Sequence, residues 1–336
     1  MAALRNFDYS ALSGSRALVT GGLGFIGSHL AQRLVELGSD VTIIDSLIPE
    51  YGGNLYNVRE IADRVRINLS DIRDPWSIRA LVQDQDYIFN LAGQVSHVDS
   101  MEDPETDLDI NCKAQLSLLE ACRANNPDVV VVFAASRQQY GRPRFVPVTE
   151  EHPQIPVDVN GINLVAGENY HLLYRDVYGI RATSLRLTNT YGPHLLMKHG
   201  RQGFITVFVR LAIEGKTISV YGDGSQLRDF TFVSDAVDAF VRAALTSETY
   251  GQALNVGGLR PVSLLETAEL CQEVAGVGGE VRTVPWPPER ERIDIGSIYV
   301  DHSKLTHLTG WEPTVDLHEG LERTMTFYRA HGDHYW

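Results

Sequence analysis

A glycine-rich segment that follows a short apolar run most strongly constrains what this chain can fold into. The apolar run Ala17–Thr20 leads into Gly21, Gly24 and Gly27, and the next apolar run ends at Asp45. A strand, a sharp glycine turn and the start of a helix, with an acid closing the following strand, are typical of dinucleotide-binding folds. A glycine pattern alone also occurs in purely structural turns. The strand, the helix and the acid together make cofactor binding the better interpretation.

The residue types in this segment indicate how a dinucleotide would be held. Gly21 permits the sharp bend, Gly24 lets the backbone approach a pyrophosphate, and Gly27 lets the helix pack against the strand. Free N–H groups and the positive end of the helix dipole then face the phosphates. The carboxylate of Asp45 would bind ribose hydroxyls and repel a 2′-phosphate. The sequence therefore predicts NAD rather than NADP as the cofactor.

Composition and charge exclude several classes of partner. The chain has 336 residues and a formal net charge of −14, which disfavours nucleic acid because phosphate binding requires a basic face. No apolar run reaches the length of a membrane span, and Met1–Ser15 lacks the basic start and apolar core of a signal peptide. Cys112, Cys122 and Cys271 are spaced too widely to suggest a disulfide framework or a metal site. We therefore expect a cytoplasmic protein with no metal, no membrane partner and no nucleic-acid partner.

Apolar strand-like runs alternate with amphipathic helix-like runs through the first half of the chain. This alternation predicts an α/β fold with a Rossmann-type doubly wound parallel sheet. We expect an NAD-binding domain over residues 1–190 and a smaller C-terminal α/β lobe for the substrate over residues 191–336, with some chain interleaving between them. Because ligands bind beyond the carboxyl ends of parallel strands, Asp71, Leu91–Gly93, Ser136 and Asn189 should converge on one cleft.

Motifs spread over nearly the whole chain point together to one enzyme family. They are Thr20–Gly27, Asp71–Ile72, Asn90–Gly93, Ser96–Asp99, Asn111, Ser136–Gly141, Leu185–Pro193, Tyr221–Gly224, Arg228–Phe230, Asp235, Asn255–Gly257 and Asp301–Lys304. In combination they resemble the extended short-chain dehydrogenase/reductase family, specifically its NAD-dependent nucleotide-sugar epimerases and dehydratases. The motifs are highly specific for the family and much less specific for one reaction within it.

The resemblance implies a nucleotide-diphosphate sugar as substrate and assigns residues to it and to NAD. Asp45 would hold the adenosine ribose, Asp71 with Ile72 the adenine, Asn189 the sugar or diphosphate, and Tyr221 the nucleotide base. The implied cofactor residues are Gly21, Gly24, Phe25, Ile26, Gly27, Asp45, Asp71, Ile72, Leu91, Ala92, Gly93, Asn111 and Leu164. The implied substrate residues are Gln94, Ser136, Asn189, Tyr221, Arg228 and Arg292.

The basic residues of the substrate set have competing interpretations. Arg228 would pair with the diphosphate, because a guanidinium group matches phosphate oxygens. A surface ion pair with Asp223 or Asp229 is the less favoured interpretation of Arg228. For Arg290 and Arg292, a solvated charge is about as well supported as a ligand.

The sequence departs from the family at the catalytic centre. The family's active-site helix opens with Tyr-x-x-x-Lys, whereas this chain has Asn160 and Leu164 there; Pro153, Pro156 and Glu168 fix the alignment. Oxidation of a sugar carbinol needs a base near neutral pH, and the family's tyrosine serves because a neighbouring ammonium group lowers its pKa. An amide cannot accept that proton. A leucine can neither lower a pKa nor hydrogen-bond the nicotinamide ribose.

Four residues are candidates for the catalytic centre, and the sequence leaves the choice of proton-transfer group open. Ser136 can hydrogen-bond a hydroxyl but is a poor base alone, and Asn160 could orient a water or a substrate hydroxyl. Tyr140 follows Ser136 closely, although packing is its usual role. His194 can titrate near physiological pH, although a structural or exposed position is the better-supported interpretation.

Other polar residues near the predicted cleft receive weaker roles. His97 and Cys112 are expected to be packing residues rather than catalysts. Arg137 and Gln138 stand where the family's 4,6-dehydratases carry the Asp-Glu pair that handles water loss, so 4,6-dehydration is disfavoured. Arg137 fits either a surface charge or a contact to an anionic or heavily hydroxylated substrate.

Two segments, residues 107–124 and 160–178, resemble the helix pair through which family members dimerise. Their apolar residues suit that bundle or the subunit core, and core burial is the default for any one of them. These residues are Leu116, Leu119, Leu172, Leu173 and Val177. The resemblance favours a homodimer.

The leading hypothesis is NAD-dependent epimerisation of a nucleotide-diphosphate sugar through a transient keto intermediate, with an atypical proton-transfer group. Two alternatives stay open: a catalytically silent binder of NAD or nucleotide sugar, and a sugar oxidoreductase or dehydratase of unusual regiochemistry. The sequence does not identify the nucleotide, the sugar or the carbon that reacts.

Overall fold

The central element is a parallel β-sheet, seen in a computed structural model that describes residues 7–200, 203–287 and 294–336. The strands of the described chain are β1 (Arg16–Thr20), β2 (Asp40–Ile44), β3 (Val65–Asn68), β4 (Tyr87–Asn90), β5 (Val130–Ser136), β6 (Arg181–Leu187), β7 (Asn189–Tyr191), β8 (Ile218–Tyr221), β9 (Leu227–Arg228), β10 (Phe230–Phe232), β11 (Ala253–Val256), β12 (Val262–Ser263) and β13 (Val281–Val284). Seven of them form the sheet in the order β3-β2-β1-β4-β5-β6-β11. All neighbouring strands in it are parallel. This is the Rossmann-type order that the alternating pattern predicts.

Helices cover both faces of the sheet. They are α1 (Phe25–Glu36), α2 (Pro75–Leu81), α3 (His97–Glu102), α4 (Pro104–Leu108), α5 (Ala114–Asn125), α6 (Val159–Tyr178), α7 (Phe204–Ile213), α8 (Val233–Leu245), α9 (Leu264–Ala275), α10 (Ser303–Thr309) and α11 (Leu317–His331). Val19 and Ile43 pack with residues of α1 and α8, whereas their neighbours Leu18 and Ile44 pack with residues of α2, α5 and α6. Strand side chains alternate in direction, so each strand contributes to two separate layers of core.

The C-terminal half forms a smaller lobe that shares a core with the sheet. It contains the strand pairs β7–β10, β9–β12 and β8–β13 and the helices α7, α9 and α11. The chain interleaves, because β11 returns to the edge of the main sheet and pairs with β6. A boundary at residue 190 stays a prediction. Among the described helices, none is both long enough and apolar enough to cross a membrane.

The helix expected over residues 107–124 is interrupted at its start. A single π-helical turn, Asp109–Lys113, lies between α4 and α5. Within this turn, the Asn111 side chain is held by two hydrogen bonds to the backbone of Gln94. The turn brings Asn111 to the segment that follows β4, and π-helical turns of this kind are frequent at functional sites.

Candidate active site

The predicted cofactor residues line one cavity at the carboxyl ends of the central strands. The cavity has a volume of about 330 Å³, which is in the range of small-molecule sites. Its walls include the whole predicted cofactor set: Gly21, Gly24, Phe25, Ile26, Gly27, Asp45, Asp71, Ile72, Leu91, Ala92, Gly93, Asn111 and Leu164. Gln94, Ser136 and Asn189 line it as well. The expected convergence of strand ends on one cleft is confirmed.

The turn before α1 can approach a phosphate closely. The helix begins at Phe25. Its N-cap residue is Gly24, which has no side chain that could bond the first N–H groups of the helix. Gly21 has a φ of 67°, in the left-handed region that favours glycine. A Cβ on Gly27 would lie 2.2 Å from the carbonyl oxygen of Gly21, so a side chain there would force helix and turn apart. These features fit the pyrophosphate of a dinucleotide.

Two carboxylates stand beyond the ends of β2 and β3. Asp45 accepts hydrogen bonds from the backbone N–H groups of Leu23 at 3.0 Å and Leu47 at 2.8 Å, and burial raises the pKa of its carboxyl despite these bonds. Asp71 pairs with Arg73 at 2.7 Å, and the Arg73 hydrogen bond lowers the pKa of Asp71. Carboxylate oxygens can accept more than one hydrogen bond. Asp45 is therefore suited to hold the hydroxyls of a ribose.

An amide network joins the cavity wall formed by the predicted cofactor residues to the start of α6. Asn160 donates from Nδ2 to the carbonyl oxygen of Gln94 at 2.7 Å, to Gln94 Oε1 at 3.2 Å and to Asp107 Oδ2 at 2.9 Å. Its Oδ1 is buried and has no hydrogen-bond partner within the described ranges. Asn160 can thus accept a hydrogen bond from a ligand, but its amide cannot act as a base.

The wall formed by the end of β5 carries a serine and an arginine. Ser136 Oγ accepts a hydrogen bond from the backbone N–H of Gln138 at 3.2 Å. Arg137 donates from Nη2 to Asn189 Oδ1 at 3.0 Å, and its Nη1 is buried without a partner among the residues described. Burial lowers the pKa of the Arg137 guanidinium. Arg137 faces the cavity, so its interpretation as a surface charge is wrong.

His97, expected to be a packing residue, lines the cavity instead. Its Nδ1 is bonded to Asp158 Oδ2, and its Nε2 lies 2.7 Å from Gln138 Nε2. The side chain of His97 is 37% exposed, whereas that of Asp158 is 4% exposed. Residues 97 and 158 are far apart in the chain, and no local pattern connects them. The sequence offers one relevant signal: an Asp just before a helix, such as Asp158, is a typical N-cap.

Two predicted catalytic residues lie away from the cavity. Tyr140 is fully buried and donates to Asn255 Oδ1 at 2.7 Å, and burial raises its pKa to about 12. His194 packs against the back of α1, with Nδ1 at 2.9 Å from Ser28 Oγ and its ring stacked on His29. Burial, with repulsion from nearby cations, lowers the pKa of His194 to about 2. Neither placement supports a catalytic role, because neither side chain is among the cavity walls.

Two predicted nucleotide-end residues, Tyr221 and Arg228, are also outside this cavity. Arg228 is buried and donates from Nη1 to the carbonyl oxygens of Leu227 at 2.8 Å and Gly296 at 2.6 Å, and burial lowers its pKa to about 10. The surface ion pair considered for Arg228 is therefore wrong. Tyr221 packs against Trp286. Residues 290 and 292, which carry the other two predicted arginines, lie outside the described ranges.

Comparison with known proteins identifies the family. The model of the NAD-dependent epimerase/dehydratase family matches residues 17–257. The chain belongs to this family. Membership confirms the predicted resemblance, and with it NAD as the predicted cofactor.

Individual relatives match over nearly the whole chain. A UDP-glucose 4-epimerase from Mycolicibacterium smegmatis is 35% identical over 315 residues, which are 94% of this chain and 98% of the relative. A putative UDP-glucose 4-epimerase from Methanocaldococcus jannaschii is 33% identical over 313 residues, 93% of this chain and 98% of the relative. The crystal structure of UDP-glucose 4-epimerase with UDP-glucose from Thermotoga maritima is 28% identical and has a TM-score of 0.86. The match covers 94% of this chain and 99% of that chain.

Proposed function

We propose that this protein epimerises a nucleotide-diphosphate sugar through a transient keto intermediate, with an atypical proton-transfer group. Its relatives include UDP-glucose 4-epimerases, and a similar solved structure contains UDP-glucose. These matches favour a UDP-sugar as substrate. Arg137 and Gln138 provide no acid–base pair for water loss, which disfavours 4,6-dehydration.

The cofactor wall would hold NAD in one orientation. The N–H groups at the start of α1 would bind the pyrophosphate, Asp45 the adenosine ribose, and Asp71 with Ile72 the adenine. Leu164, which is buried with Phe133, would contact the nicotinamide side through apolar surface alone. NAD held there would supply a reversible hydride acceptor.

The remaining cavity wall would bind and orient the sugar. Ser136 would hydrogen-bond the reacting hydroxyl, and Asn160 Oδ1 would accept a bond from a second one. Gln94 and Asn189 border the same space. Arg137 would offer Nη1, which has no partner among the described residues, to an oxygen of the substrate. The observation that carries the proposal is that the cofactor set and these sugar-side residues line one continuous cavity.

The second candidate is a silent binder of NAD or nucleotide sugar. It is favoured by Asn160 and Leu164, because neither side chain can perform or assist the proton transfer of the family's Tyr-x-x-x-Lys pair. A sugar oxidoreductase or dehydratase of unusual regiochemistry is the remaining alternative. We also infer a cytoplasmic location and a homodimer as parts of the proposal.

Ligand analysis and a turnover assay test these candidates together. Mass spectrometry of the purified protein should detect retained NAD. Incubation with UDP-glucose or UDP-galactose carrying deuterium on the sugar should give the epimer, separated by chromatography. Retained NAD with neither epimer nor keto-sugar from any UDP-sugar would favour the silent binder. An accumulating keto-sugar would favour the oxidoreductase.

A further inference from the structure

His97 is the cavity-lining residue best able to accept a proton next to Ser136. The described cavity walls contain five ionisable side chains, Asp45, Tyr51, Asp71, His97 and Arg137. Asp45 and Asp71 follow β2 and β3, at the adenosine end. Burial raises the pKa of Tyr51, and Arg137 carries a positive charge, so neither is a suitable base. His97 remains, and a neutral imidazole has one ring nitrogen with a lone pair that can accept a proton.

Asp158 holds the imidazole of His97 in position. It is the N-cap of α6, where Oδ1 accepts a hydrogen bond from the backbone N–H of Gly161 at 2.7 Å. Its other oxygen, Oδ2, is bonded to His97 Nδ1. Burial alone would raise the pKa of Asp158, but the bond and attraction to His97 hold it below its ordinary value. An ionised Oδ2 can only accept, so Nδ1 of His97 carries a proton; in the neutral imidazole this leaves a lone pair on Nε2.

Gln138 joins His97 to the serine. Its Nε2 lies 2.7 Å from His97 Nε2, which fits an amide N–H donating to the imidazole lone pair. Its backbone N–H donates to Ser136 Oγ at 3.2 Å. The Gln138 Oε1 is buried with no partner in the described chain. Rotation of this amide would place Oε1 against a protonated Nε2, so one side chain can satisfy both states of His97.

We propose that His97, positioned by Asp158, is the proton acceptor for the sugar hydroxyl that is oxidised. The inference rests on the proposed epimerase function. The hydroxyl displaces Gln138 from Nε2, its O–H bond breaks, and an N–H bond forms at Nε2. The O–H electron pair would become the second bond of the carbonyl, and oxidised NAD, held by the residues assigned to it, would supply the acceptor for the hydride that leaves carbon. In the return step Nε2 gives the proton back to the carbonyl oxygen.

The position of the pair His97 and Asp158, here called the dyad, explains how the family's tyrosine could be lost. Asp158 stands at the N-cap of α6, two residues before Asn160, and reaches across to α3. The base then comes from α3, while α6 contributes its orienting carboxylate. His97 is the catalytic residue in this arrangement, and Asp158 is a positioning residue.

Replacement of His97 in the full-length, NAD-loaded protein tests the assignment. With UDP-glucose as probe, His97→Ala should lower kcat by about a hundredfold to ten-thousandfold, while calorimetric binding of UDP-glucose is retained. Added imidazole should restore part of the lost rate. The matched control is His318→Ala, because His318 also faces a carboxylate, Glu322 at 3.8 Å, but lies on α11. The control should keep full activity and show no response to imidazole.

Asp158→Asn separates positioning from folding. Asparagine also caps helices, so α6 should remain stable while kcat falls more than KM changes. Nitrogen-15 NMR of histidine-labelled protein gives a readout independent of turnover. His97 in the wild type should carry its proton on Nδ1, and this preference should weaken in Asp158→Asn.

The outcomes separate the role of His97, its pairing with Asp158 and the proposed function. Wild-type turnover with undiminished His97→Ala turnover would overturn the role of His97 alone. A neutral His97 protonated on Nε2 would overturn the dyad as well. No wild-type conversion of any UDP-sugar would overturn the proposed function and this inference together.

Discussion

Gly27 lies so close to Gly21 that a Cβ at position 27 would stand 2.2 Å from the Gly21 carbonyl oxygen. We predict that Gly27→Ala pushes α1 away from the turn and weakens NAD binding in calorimetry. Overpacking of this kind typically lowers the free energy of unfolding by about 1–3 kcal/mol. Glu36→Ala, an exposed change on the same helix, is the control and should leave both quantities unchanged. Normal NAD affinity in Gly27→Ala would argue against phosphate binding at this turn.

Asp45 should decide between NAD and NADP. Asp45→Asn removes the charge and leaves one oxygen, which can accept from only one of the Leu23 and Leu47 N–H groups, because these donate to different oxygens of Asp45. Loss of a charged hydrogen bond costs about 1.5–3 kcal/mol, so the Kd for NAD should rise about 10- to 100-fold. The Kd for NADP should change less or fall, because the repulsion of a 2′-phosphate is gone. Equal losses for both dinucleotides would contradict this role.

A buried ion pair between α6 and β6 should contribute strongly to stability. Arg186 and Glu168 are only 6% and 1% exposed and pair at 2.5 Å, with Ser184 and Gln154 also donating to the carboxylate. Breaking a buried pair costs about 3–5 kcal/mol, so Glu168→Gln should lower the free energy of unfolding by about that amount at neutral pH.

The same pair should show a defined dependence on pH. Burial raises the pKa of Glu168, but its bonds to Arg186 outweigh this and leave it below the ordinary value of 4.5. The stabilisation is therefore complete above pH 4.5 and is lost as pH falls through the lower, folded-state pKa. Urea unfolding at successive pH values should show the wild type converging on Glu168→Gln in acid. A constant difference would contradict the pair.

His194 should contribute acid sensitivity rather than catalysis. Its pKa falls from 6.5 to about 2 in the folded protein. The unfolded chain thus binds an extra proton between those values, and stability drops as pH falls below 6.5. Asparagine tolerates the φ of 70° found there. His194→Asn should lose less stability on acidification than the wild type and keep its kcat. A large fall in kcat would return His194 to the active site.

The cofactor half of the site could be predicted because its signals are local. Gly21 to Gly27 and Asp45 sit at fixed offsets around consecutive elements, and strand ends meet at one edge of a parallel sheet. His97 could not be assigned in this way. Its partner is 61 residues away, and only the packing of α3 against α6 brings the two together.

Arg228 is the opposite case, a residue that the sequence assigned to the substrate and the structure places elsewhere. A guanidinium in a family motif suggests a phosphate ligand, but sequence carries no information about competing acceptors. In the folded chain the carbonyl oxygens of Leu227 and Gly296 accept from Nη1. The same limit applies to Tyr140, whose hydroxyl is enclosed by Asn255 and Arg186.

The exposed apolar side of α6 leads to a prediction about assembly. α5 and α6 lie side by side, with the Tyr174 hydroxyl donating to Glu120 at 2.5 Å, and Leu173 and Val177 are 49% and 59% exposed. Burying such side chains against a second copy would remove apolar area from water. We predict a dimer in analytical ultracentrifugation and a monomer for Leu173→Asp. Leu259→Asp is the control, because Leu259 is similarly exposed at 52% but lies on the C-terminal lobe. A monomeric wild type, or dissociation by both variants, would contradict assembly through this helix pair.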